Sequence, residues 1–543
     1  MNRVLVLGNA TLDVIQRVDR LPAPGETVLA SSTVRCAGGK GLNQAVAAAR
    51  TGAATLLVAP IGKDADAEFI AGSLKDEAEL NLNWLACDAP TDLSSIWVTS
   101  GGENVIVSSA GCAHSMTPDQ ARQLCGALAP DDVLLMQGNL SQEVTRAAAQ
   151  AAQARGAIRI LNTAPIAWDM REVLGLFDIV IANEGEAAQL TAGTPSTGAR
   201  TLIITLGARG ALIVEGGIET AIGAPRVTAV DTSGAGDVFV GTLAGLKASG
   251  ARIVDAVGAA IGAASLSVTR PNTTPSFPSR AEVAAIAAAP GPARRRSVEG
   301  IGVRSFATRA AMGQAAARDI AAAIRARLTV ADGVRMIFAA APSQSDMIAA
   351  LIAQPDVDWR RVTAFHMDEY IGLPSGAPQR FAVWLQECLF DRLPFRAVHP
   401  ILPDPAPQAA AEHYAALLDA APIDIVCLGI GVNGHIAFND PPVADFADPK
   451  DVKIVELDAV CRQQQVDDKC FPDLAAVPRQ ALTLTVPRLL RADKLFCVVP
   501  GAQKRDAIRA TLHGPISTAC PASVLRRQAD CTLYLDVESD PDA

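Results

Sequence analysis

Two stretches of this 543-residue chain combine residues that could do chemistry, and the first is DTSGAGD at residues 231–237. An apolar run leads into it and a small-residue helical pattern follows, so its glycines lie where a loop becomes a helix N-terminus. The backbone N–H groups of Gly234, Ala235 and Gly236 would then face an anion, and the helix dipole would add to them. This arrangement can stabilise negative charge on a transferred phosphoryl group, with Asp237 beside it as a general base.

The second stretch is GIGVNGHIAFND at residues 429–440, after an apolar run that predicts a strand. It satisfies G-x-G-x-x-G, the pattern of dinucleotide-binding loops, but such a loop must open a helix. Here the chain soon reaches Pro441 and Pro442, which oppose a helix. The dinucleotide interpretation is therefore weak.

The first stretch resembles the signature D-T-x-G-A-G-D of the ribokinase-like (PfkB) carbohydrate kinases. Either glycine cluster alone would also suit an ordinary turn before a helix, but a second match makes the resemblance specific. GGKGLNQAVA at residues 38–47 is similar to the family's sugar-binding segment, and residues 4–13 are similar to its opening strand and loop. The resemblance covers nearly all of residues 1–288 and implies an ATP-dependent sugar kinase that uses Mg²⁺ and K⁺.

The same resemblance implies roles for individual residues. Asp237 would take the proton from the sugar hydroxyl, while the amides of residues 234–236 would stabilise the phosphoryl group. Sugar hydroxyls would be held by Asp13, Gly39, Lys40, Asn43 and Asn139. The nucleotide site would include Asn183, Glu186, Thr205, Gly207 and Gly210. Glu186 would organise Mg²⁺ indirectly, and Asp231, with residues 270–276, would bind the monovalent cation.

Some residues depart from the family pattern or have a simpler explanation. Asn139 stands where ribokinases tend to have a sugar-contacting Glu, which argues against ribose as the substrate. Asp13 and Asn43 would also suit turn and capping duty. The chain between residues 186 and 203 is shorter than usual, as if a surface helix had been lost. Lys40 is followed by Gly41 and no G-x-x-x-x-G-K-[ST] loop exists, so the kinase is not of the P-loop class.

The second stretch, GVNGHIAFND, resembles the active-site loop of the glucosamine-6-phosphate deaminases, and HMDEYIGL at residues 366–373 resembles their M-D-E-Y hallmark. The resemblance spans about residues 300–538. It implies ring opening of an amino-sugar phosphate, proton transfer from C2 to C1 and loss of ammonia, without a cofactor. Asp368 would carry the proton, and His435 would open the ring because imidazole titrates near neutral pH. Glu369 would equally suit a cap or an ion pair.

The deaminase-like half also departs from its family. Where the known deaminases have carboxylates flanking the histidine, this loop has Asn433 and the shorter Asp440. Because Asn cannot offset the charge of an imidazolium, we expect weaker ring opening or a different substrate. The resemblance assigns the substrate phosphate to Ser343, Gln344, Ser345, Lys469 and Lys504.

Composition limits the partners of the chain. The formal net charge of −10 argues against a nucleic-acid surface, because neutralising phosphates needs clustered Lys and Arg. The eleven cysteines form no C-x-x-C pair and suggest reduced thiols. There is no signal-peptide pattern and no apolar run long enough to span a bilayer. We therefore expect a cytoplasmic homo-oligomer that binds sugars and sugar phosphates, without nucleic-acid or membrane partners.

Both halves alternate β-branched apolar runs with Ala-rich helical stretches, which predicts an α/β fold. Residues 1–288 are expected to form a ribokinase-like, mainly parallel sheet, and residues 90–110 alternate like the antiparallel strands of a small lid. A second, doubly wound α/β domain is expected at residues 301–543. Residues 289–300, rich in Pro, Gly and Arg, predict a linker with solvated arginines.

These patterns favour two fused enzymes of sugar catabolism, a kinase and an isomerising deaminase. The kinase would either make the 6-phosphate that the deaminase consumes or phosphorylate the ketose phosphate that it releases. Two alternatives remain for the second half. It could be a 6-phosphogluconolactonase, although lactone hydrolysis needs no C2 proton carrier such as Asp368. It could also be a sugar-phosphate sensor without turnover, which Asn433 would suit.

Overall fold

The structure is a computed structural model of the chain and describes residues 2–99, 101, 104–191, 198–289, 293–467 and 469–543. Contacts divide the chain into two compact units, residues 1–292 and 293–543. Within the described residues, no helix has both the length and the apolar character to cross a bilayer.

The strands of the first unit follow from β-branched and apolar runs. They are, in chain order, β1 (Val4–Leu7), β2 (Thr11–Val18), β3 (Ser32–Gly38), β4 (Thr55–Ile61), β5 (Leu80–Ala86), β6 (Leu93–Thr99), β7 (Asn104–Ser108), β8 (Val133–Gln137), β9 (Ile158–Asn162), β10 (Ile179–Asn183), β11 (Thr201–Thr205), β12 (Ala211–Glu215) and β13 (Ile218–Ile222). Of these strands, β1, β4, β8 and β10 are almost entirely buried.

These strands form two sheets. The main sheet has the order β5-β4-β1-β8-β9-β10-β11-β12-β13, and it is parallel except for the antiparallel strands β12 and β13. The smaller sheet has the order β3-β2-β6-β7, with β6 and β7 antiparallel as predicted, and we call it the lid sheet. The predicted mainly parallel α/β sheet with a small β lid is confirmed for this half.

Helices cover both faces of the main sheet, which is why its central strands are apolar throughout. They are α1 (Lys40–Ala49), α2 (Ala65–Ser73), α3 (Pro118–Cys125), α4 (Gln142–Ala154), α5 (Arg171–Leu174), α6 (Glu184–Thr191), α7 (Ala235–Ala248), α8 (Ile253–Ser267) and α9 (Arg280–Ala288). The long helices α1, α7 and α8 pack on one face through small residues, with Gly241 against the backbone of Gln44. This packing brings the N-termini of α1 and α7 together.

The second unit is also an α/β sandwich, as predicted. Its strands are β14 (Arg294–Val298), β15 (Ile301–Phe306), β16 (Val334–Phe338), β17 (Val362–His366), β18 (Asp368–Tyr370), β19 (Ala397–His399), β20 (Ile425–Leu428), β21 (Val452–Glu456), β22 (Gln480–Leu484), β23 (Lys494–Val499) and β24 (Cys531–Asp536). The main sheet has the order β14-β15-β24-β23-β20-β16-β17-β19 and is parallel apart from β14. A small antiparallel sheet, β18-β22-β21, lies beside it.

The helices of the second unit pack on both faces of its main sheet. They are α10 (Arg309–Leu328), α11 (Ser345–Ile352), α12 (Phe381–Cys388), α13 (Pro407–Asp419), α14 (Ala459–Asp467), α15 (Val486–Leu490) and α16 (Arg505–His513). Two large apolar clusters fill the faces of this sheet. The residues expected to do chemistry come after β16, β17, β20 and β23, at the carboxyl ends of neighbouring parallel strands.

The predicted linker at residues 289–300 contains the boundary between the two units, but it is wrong at Arg294–Val298. Strand β14 occupies Arg294–Val298 and pairs antiparallel with β15. Arg296 is buried, and its guanidinium donates two hydrogen bonds to Asp540, of 2.6 and 2.8 Å. The triple arginine is therefore not the solvated segment that its composition predicted, because alternate residues of the strand face the interior. Pro290, Gly291 and Pro292 lie outside the described residues.

Candidate active sites

The site of the first unit is built around Asp237 in the first turn of α7. Gly234 takes a left-handed conformation with φ of 76° immediately before the helix, and a side chain there would collide with Thr273. The first intrahelical hydrogen bond runs from Val238 N to Gly234 O. The amides of residues 236 and 237 precede it in the chain and so have no carbonyl partner within the helix. The amide of Ala235 already bonds to Thr232 O over 3.3 Å. The first turn of α7 therefore carries Asp237 together with two amides that precede the first intrahelical hydrogen bond.

The Asp237 carboxylate is held by three residues of α1. Asn43 donates to Oδ2 over 3.0 Å and Gln44 donates to Oδ1 over 3.0 Å. The Lys40 ammonium lies 3.9 Å from Oδ1. Positions 40, 43 and 44 share one helix face because they are three and four residues apart. Asn43, predicted to hold sugar, therefore also orients the base.

Gln44 is a site residue that the sequence did not single out. Its Oε1 accepts a hydrogen bond of 2.9 Å from Gln137 Nε2, while its own Nε2 is committed to Asp237. Both glutamines are completely buried. The pair fixes which end of the Gln44 amide faces the carboxylate.

The second carboxylate of this site is Asp13 on β2. Burial raises its pKa from 3.8 to about 6; hydrogen bonds from Thr11 and Ser94 oppose this shift, and the charge of Asp237 adds to it. Thr11 Oγ1 donates to Asp13 Oδ1 over 2.6 Å. A side chain at Gly38 would collide with the Asp13 carboxylate, which explains the glycine in that strand.

All five predicted sugar-binding residues line one cleft of about 340 Å³, together with Asp231, Gly234 and Asp237. The lid sheet forms its other wall, with the lining residues Ile15, Arg17, Ser32, Val34, Ser94, Ile96, Val98, Ile106 and Ser108. The sequence did not single out these wall residues, although the alternation in β2 and β6 could have placed them on one face. The Oδ1 atom of Asn139 is buried here and has no hydrogen-bond partner among the described residues. The cleft is of a size for a monosaccharide and offers it an unpaired acceptor.

The residues predicted to bind nucleotide lie outside this cleft, at the carboxyl ends of β10 and β11. Glu186 accepts hydrogen bonds from Asn183 N over 3.0 Å and Asn183 Nδ2 over 2.8 Å, and Asn183 Oδ1 accepts from Glu186 N. Thr163 also donates to Glu186, over 2.8 Å. These bonds brace the start of α6 in the manner of a capping box.

The remaining nucleotide residues shape the turn after β11. Thr205 ends that strand and donates to Ala182 O over 3.4 Å. Gly207 and Gly210 have φ of 57° and 97°, which is the left-handed region. A side chain at Gly210 would collide with Ile222 O, so the turn requires glycine there.

Asp231 ties two loops beside the sugar cleft. Its Oδ1 accepts from Ser233 N over 2.9 Å and its Oδ2 accepts from Asn272 N over 3.2 Å. The carboxylate thereby joins the loop before α7 to residues 270–276, the two segments that the sequence assigned to a monovalent cation. Its oxygens and the loop carbonyls are the hard donors that such an ion requires.

The site of the second unit contains Asp368 in a narrow cleft of about 90 Å³. Strand β18 carries Asp368, which is 7% exposed and pairs in register with Thr483. Burial raises its pKa well above the ordinary value, and the charges of Glu369 and Asp440 add to that shift. Asp368 is therefore a carboxyl whose ionised form is a strong base.

His435 lines the same cleft, and its Nδ1 atom contacts two side chains of its own loop. Its Nδ1 lies 2.9 Å from Asp440 Oδ1 and 2.8 Å from Asn433 Oδ1. Asn433 Nδ2 also donates to Asp440 Oδ1 over 2.9 Å, which closes a triangle of contacts. Burial disfavours the ionised Asp440, but the hydrogen bonds and charge of His435, with Asn433, outweigh burial and lower its pKa. A carboxylate therefore does reach the histidine, whose ring fits because Gly431 has no side chain.

Glu369 has a structural role. Its carboxylate accepts hydrogen bonds from Phe381 N over 3.2 Å and Ala382 N over 3.0 Å, at the start of α12. Burial raises its pKa to about 7, against the opposing backbone hydrogen bonds. Of the two alternatives that the sequence left open, the cap is the one observed.

The predicted phosphate residues divide into two groups. Ser343, Gln344 and the buried Lys504 line the cleft with Asp368 and His435. The Gln344 side-chain Nε2 donates a 3.0 Å hydrogen bond to Val498 O, which holds this side chain against the main sheet. Ser345 and Lys469 are exposed and are not among the lining residues.

The misplacement of Lys469 has a local cause. The residue has a left-handed φ of 61° and its N–H closes the end of α14 on Val466 O, which directs the side chain to solvent. Lining residues that the sequence did not single out are Phe381, Phe438, Gln464, Gln465 and Cys470. Phe438 lies within the motif at residues 429–440, whereas the other four come from α12, α14 and the chain just after α14, outside the motifs.

Known families match both units. Residues 1–280 match the pfkB family carbohydrate kinase model, and residues 307–534 match the family of glucosamine-6-phosphate isomerases and 6-phosphogluconolactonase. The chain therefore belongs to the pfkB carbohydrate kinase family through its first unit and to the glucosamine-6-phosphate isomerase family through its second. Both predicted resemblances are confirmed.

Two deaminases agree with the assignment of the second unit. The glucosamine-6-phosphate deaminase of Exiguobacterium sibiricum is 37% identical over 184 residues, which are 34% of this chain and 71% of that protein. The glucosamine-6-phosphate deaminase of Listeria monocytogenes is 34% identical over 200 residues, 36% of this chain and 82% of that protein. Among solved structures, the ribokinase of Thermotoga maritima is 27% identical, with a TM-score of 0.48 over 53% of this chain and 99% of that chain.

Proposed function

We propose that this chain is a bifunctional enzyme that phosphorylates a sugar with ATP and deaminates an amino-sugar 6-phosphate. The observation that carries the proposal is a buried carboxylate in each unit, Asp237 and Asp368, at the wall of a cleft lined with polar groups. Each carboxylate suits a proton-transfer step in the reaction of its family.

In the first unit, Asp237 accepts the proton of the sugar hydroxyl as that oxygen attacks the γ-phosphorus. The hydrogen bonds from Asn43 and Gln44 hold the carboxylate in place for this transfer. The amides of Gly234 and Gly236 and the α7 dipole face the charge on the transferred group, whereas the Ala235 amide is bonded to Thr232 O. Asp13, Lys40 and Asn139 position the sugar.

The carboxylates around this site suit hard cations. Glu186 and Asp231 offer oxygen donors of the kind that Mg²⁺ and K⁺ take in proteins. When bound, ATP and Mg²⁺ supply the phosphoryl group and neutralise its charge. Hydrogen bonds from Asn183 and Thr163 hold the Glu186 carboxylate in place. Its role would therefore be to orient Mg²⁺ from a fixed position.

In the second unit, His435 moves a proton between the O1 hydroxyl and the ring oxygen, which opens the ring of glucosamine 6-phosphate. Asp440 offsets the imidazolium charge during this step. Asp368 then removes the proton from C2 and delivers it to C1, and water replaces the amine at C2. The products are fructose 6-phosphate and ammonia. Lys504 and Ser343 bind the phosphate.

The order of the two reactions is tested by measuring ammonia in a coupled assay. With glucosamine plus ATP as substrates, ammonia release means that the kinase supplies the deaminase. If ammonia appears from glucosamine 6-phosphate alone, and the kinase accepts only ketose phosphates in a substrate panel, the kinase acts second. Acid release from 6-phosphogluconolactone without ammonia from any amino sugar would overturn the deaminase assignment.

A further inference from the structure

Two cysteine side chains of the first unit touch each other. The Sγ atoms of Cys87 and Cys112 lie 2.8 Å apart, which is hydrogen-bonding contact between thiols. Both main chains are fixed: Cys87 N donates to Ile61 O over 3.0 Å, and Cys112 N donates to Asp92 Oδ1 over 3.2 Å. The sulfurs need to approach by only about 0.8 Å to reach the ~2.05 Å of a disulfide bond.

The pair lies at the base of the lid sheet. Cys87 directly follows β5 of the main sheet, and Cys112 directly precedes a short helical turn at residues 113–115. The chain between them carries β6 and β7, whose residues Ser94, Ile96 and Ser108 line the sugar cleft. A bond between the two sulfurs would close this segment into a covalent loop.

We propose that Cys87 and Cys112 form an oxidation site at which hydrogen peroxide converts two thiols to a disulfide, and that this bond fixes the base of the lid sheet and slows the kinase. Cys87 sulfur attacks the peroxide oxygen, the O–O bond breaks, and a sulfenic acid forms with release of one water. Cys112 sulfur then attacks Cys87 sulfur, the S–O bond breaks, and a second water leaves. The two sulfurs lose two electrons and the peroxide gains them.

The two thiols differ in exposure, and this difference indicates which of them reacts first. Cys112 is buried, whereas Cys87 is partly exposed and accessible to a small oxidant. Burial raises the pKa of Cys112 to about 12, and the hydrogen bond and charge of Cys87 and the charge of Asp92 add to this shift. Cys87 is therefore the thiol that meets the oxidant, and Cys112 resolves the sulfenic acid.

The effect on the kinase follows from the position of the bond. Asp92 O accepts a hydrogen bond from Leu12 N, and Asp13 is the next residue on β2. A shift of this segment by less than 1 Å thus moves groups that position the sugar, and such misplacements lower rates by roughly tenfold or more. This readout rests on the proposed kinase function, whereas detection of the disulfide does not.

The test uses the full-length wild-type protein. Hydrogen peroxide is added, free thiols are alkylated under denaturing conditions, and peptides are mapped by mass spectrometry without reduction. We expect a peptide pair joined through Cys87 and Cys112 with two hydrogens lost. The kcat/KM for the sugar should fall roughly tenfold and recover with dithiothreitol, while ammonia release by the second unit stays unchanged.

Variants separate this pair from general oxidation. Cys87→Ser and Cys112→Ser should each abolish the peroxide response, and Cys36→Ser, on β3 of the same lid sheet, should leave it intact. Recovery of both thiols in alkylated form after peroxide treatment would overturn the oxidation site. A disulfide that forms without any change in kcat/KM would overturn its effect on the kinase. If the reduced protein phosphorylates no sugar, the proposed kinase function fails, but the mass measurement still decides whether the site exists.

Discussion

Asp440 Oδ1 lies 2.9 Å from His435 Nδ1, and Asn433 bridges the two side chains. The sequence suggested a weakened ring-opening step, because an asparagine replaces one carboxylate and the other is an aspartate. The structure shows that the shorter aspartate still reaches the ring. Among the residues that the structure describes, Asp440 is the carboxylate that contacts the His435 ring, so charge compensation depends on it.

The first prediction follows from that dependence. Asp440→Asn should lower kcat for ammonia release by roughly 100-fold or more, which is the usual range for loss of a partner in acid–base catalysis. Asp440→Glu keeps the charge and should recover much of the rate. Asp445→Asn is a matched control, because Asp445 is exposed and accepts a hydrogen bond only from the turn at Ala447 N among the described residues. Full activity of Asp440→Asn would show that His435 works without the carboxylate.

The two candidate phosphate lysines give the second prediction. Lys504→Met should raise KM for glucosamine 6-phosphate by roughly 10- to 100-fold, because a hydrogen bond to a charged group contributes about 1.5–3 kcal/mol. Lys469→Met should change KM by less than about twofold, since that side chain is exposed and outside the cleft. Initial rates over a range of substrate concentrations measure both values. The reverse result would restore Lys469 as the phosphate ligand.

The third prediction concerns Gln44, which holds the base of the kinase site. Gln44→Leu removes the hydrogen bond to Asp237 Oδ1 and leaves that buried oxygen facing the Lys40 ammonium at 3.9 Å, which should cost about 1–3 kcal/mol. We expect kcat for phosphoryl transfer to fall by roughly 10- to 100-fold with KM for ATP little changed. Gln123→Leu, on the exposed face of α3, is the control for the substitution itself. An unchanged kcat in Gln44→Leu would mean that Asn43 and Lys40 are enough to orient Asp237.

The fourth prediction is the pH dependence caused by Asp13. Its pKa is 3.8 in the unfolded chain and about 6 in the folded one, so between these values the folded state binds more protons. Stability contributed by protonated Asp13 is thus lost as pH rises from about 4 to 6. Relative to wild type, Asp13→Asn should become more stable over this range, by up to about 3 kcal/mol, and show no further gain above pH 7. Urea unfolding of the first unit at several pH values measures this, and a difference independent of pH would contradict the buried carboxyl.

The elements that local patterns specify were predicted well. The strand before each motif, the turn at Gly234 and the position of Asp368 follow from apolar runs, glycines and family motifs within about ten residues. Gln44 could not be found this way, because its partner Asp237 is 193 residues away and an uncharged residue on an Ala-rich helix gives no signal.

The errors also have physical causes. Prolines, a glycine and three arginines predicted a solvated linker. Instead, Arg296 donates hydrogen bonds to Asp540, and β14 pairs with β15. These tertiary contacts override the preference that the composition indicates. Lys469 matched a family position by alignment, yet the left-handed end of α14 turns it outward. The first outcome depends on contacts between distant segments, which no local pattern contains, and the second depends on the backbone conformation that ends α14.

The most direct measurement of the central claim is a crossed assay of two variants of the full chain, Asp237→Asn and Asp368→Asn. Asp237→Asn should lose sugar phosphorylation by roughly 100-fold or more and retain ammonia release from glucosamine 6-phosphate. Asp368→Asn should show the opposite pattern. Retention of phosphorylation in the first variant, or of ammonia release in the second, would contradict the assignment of a separate proton-transfer carboxylate to each unit.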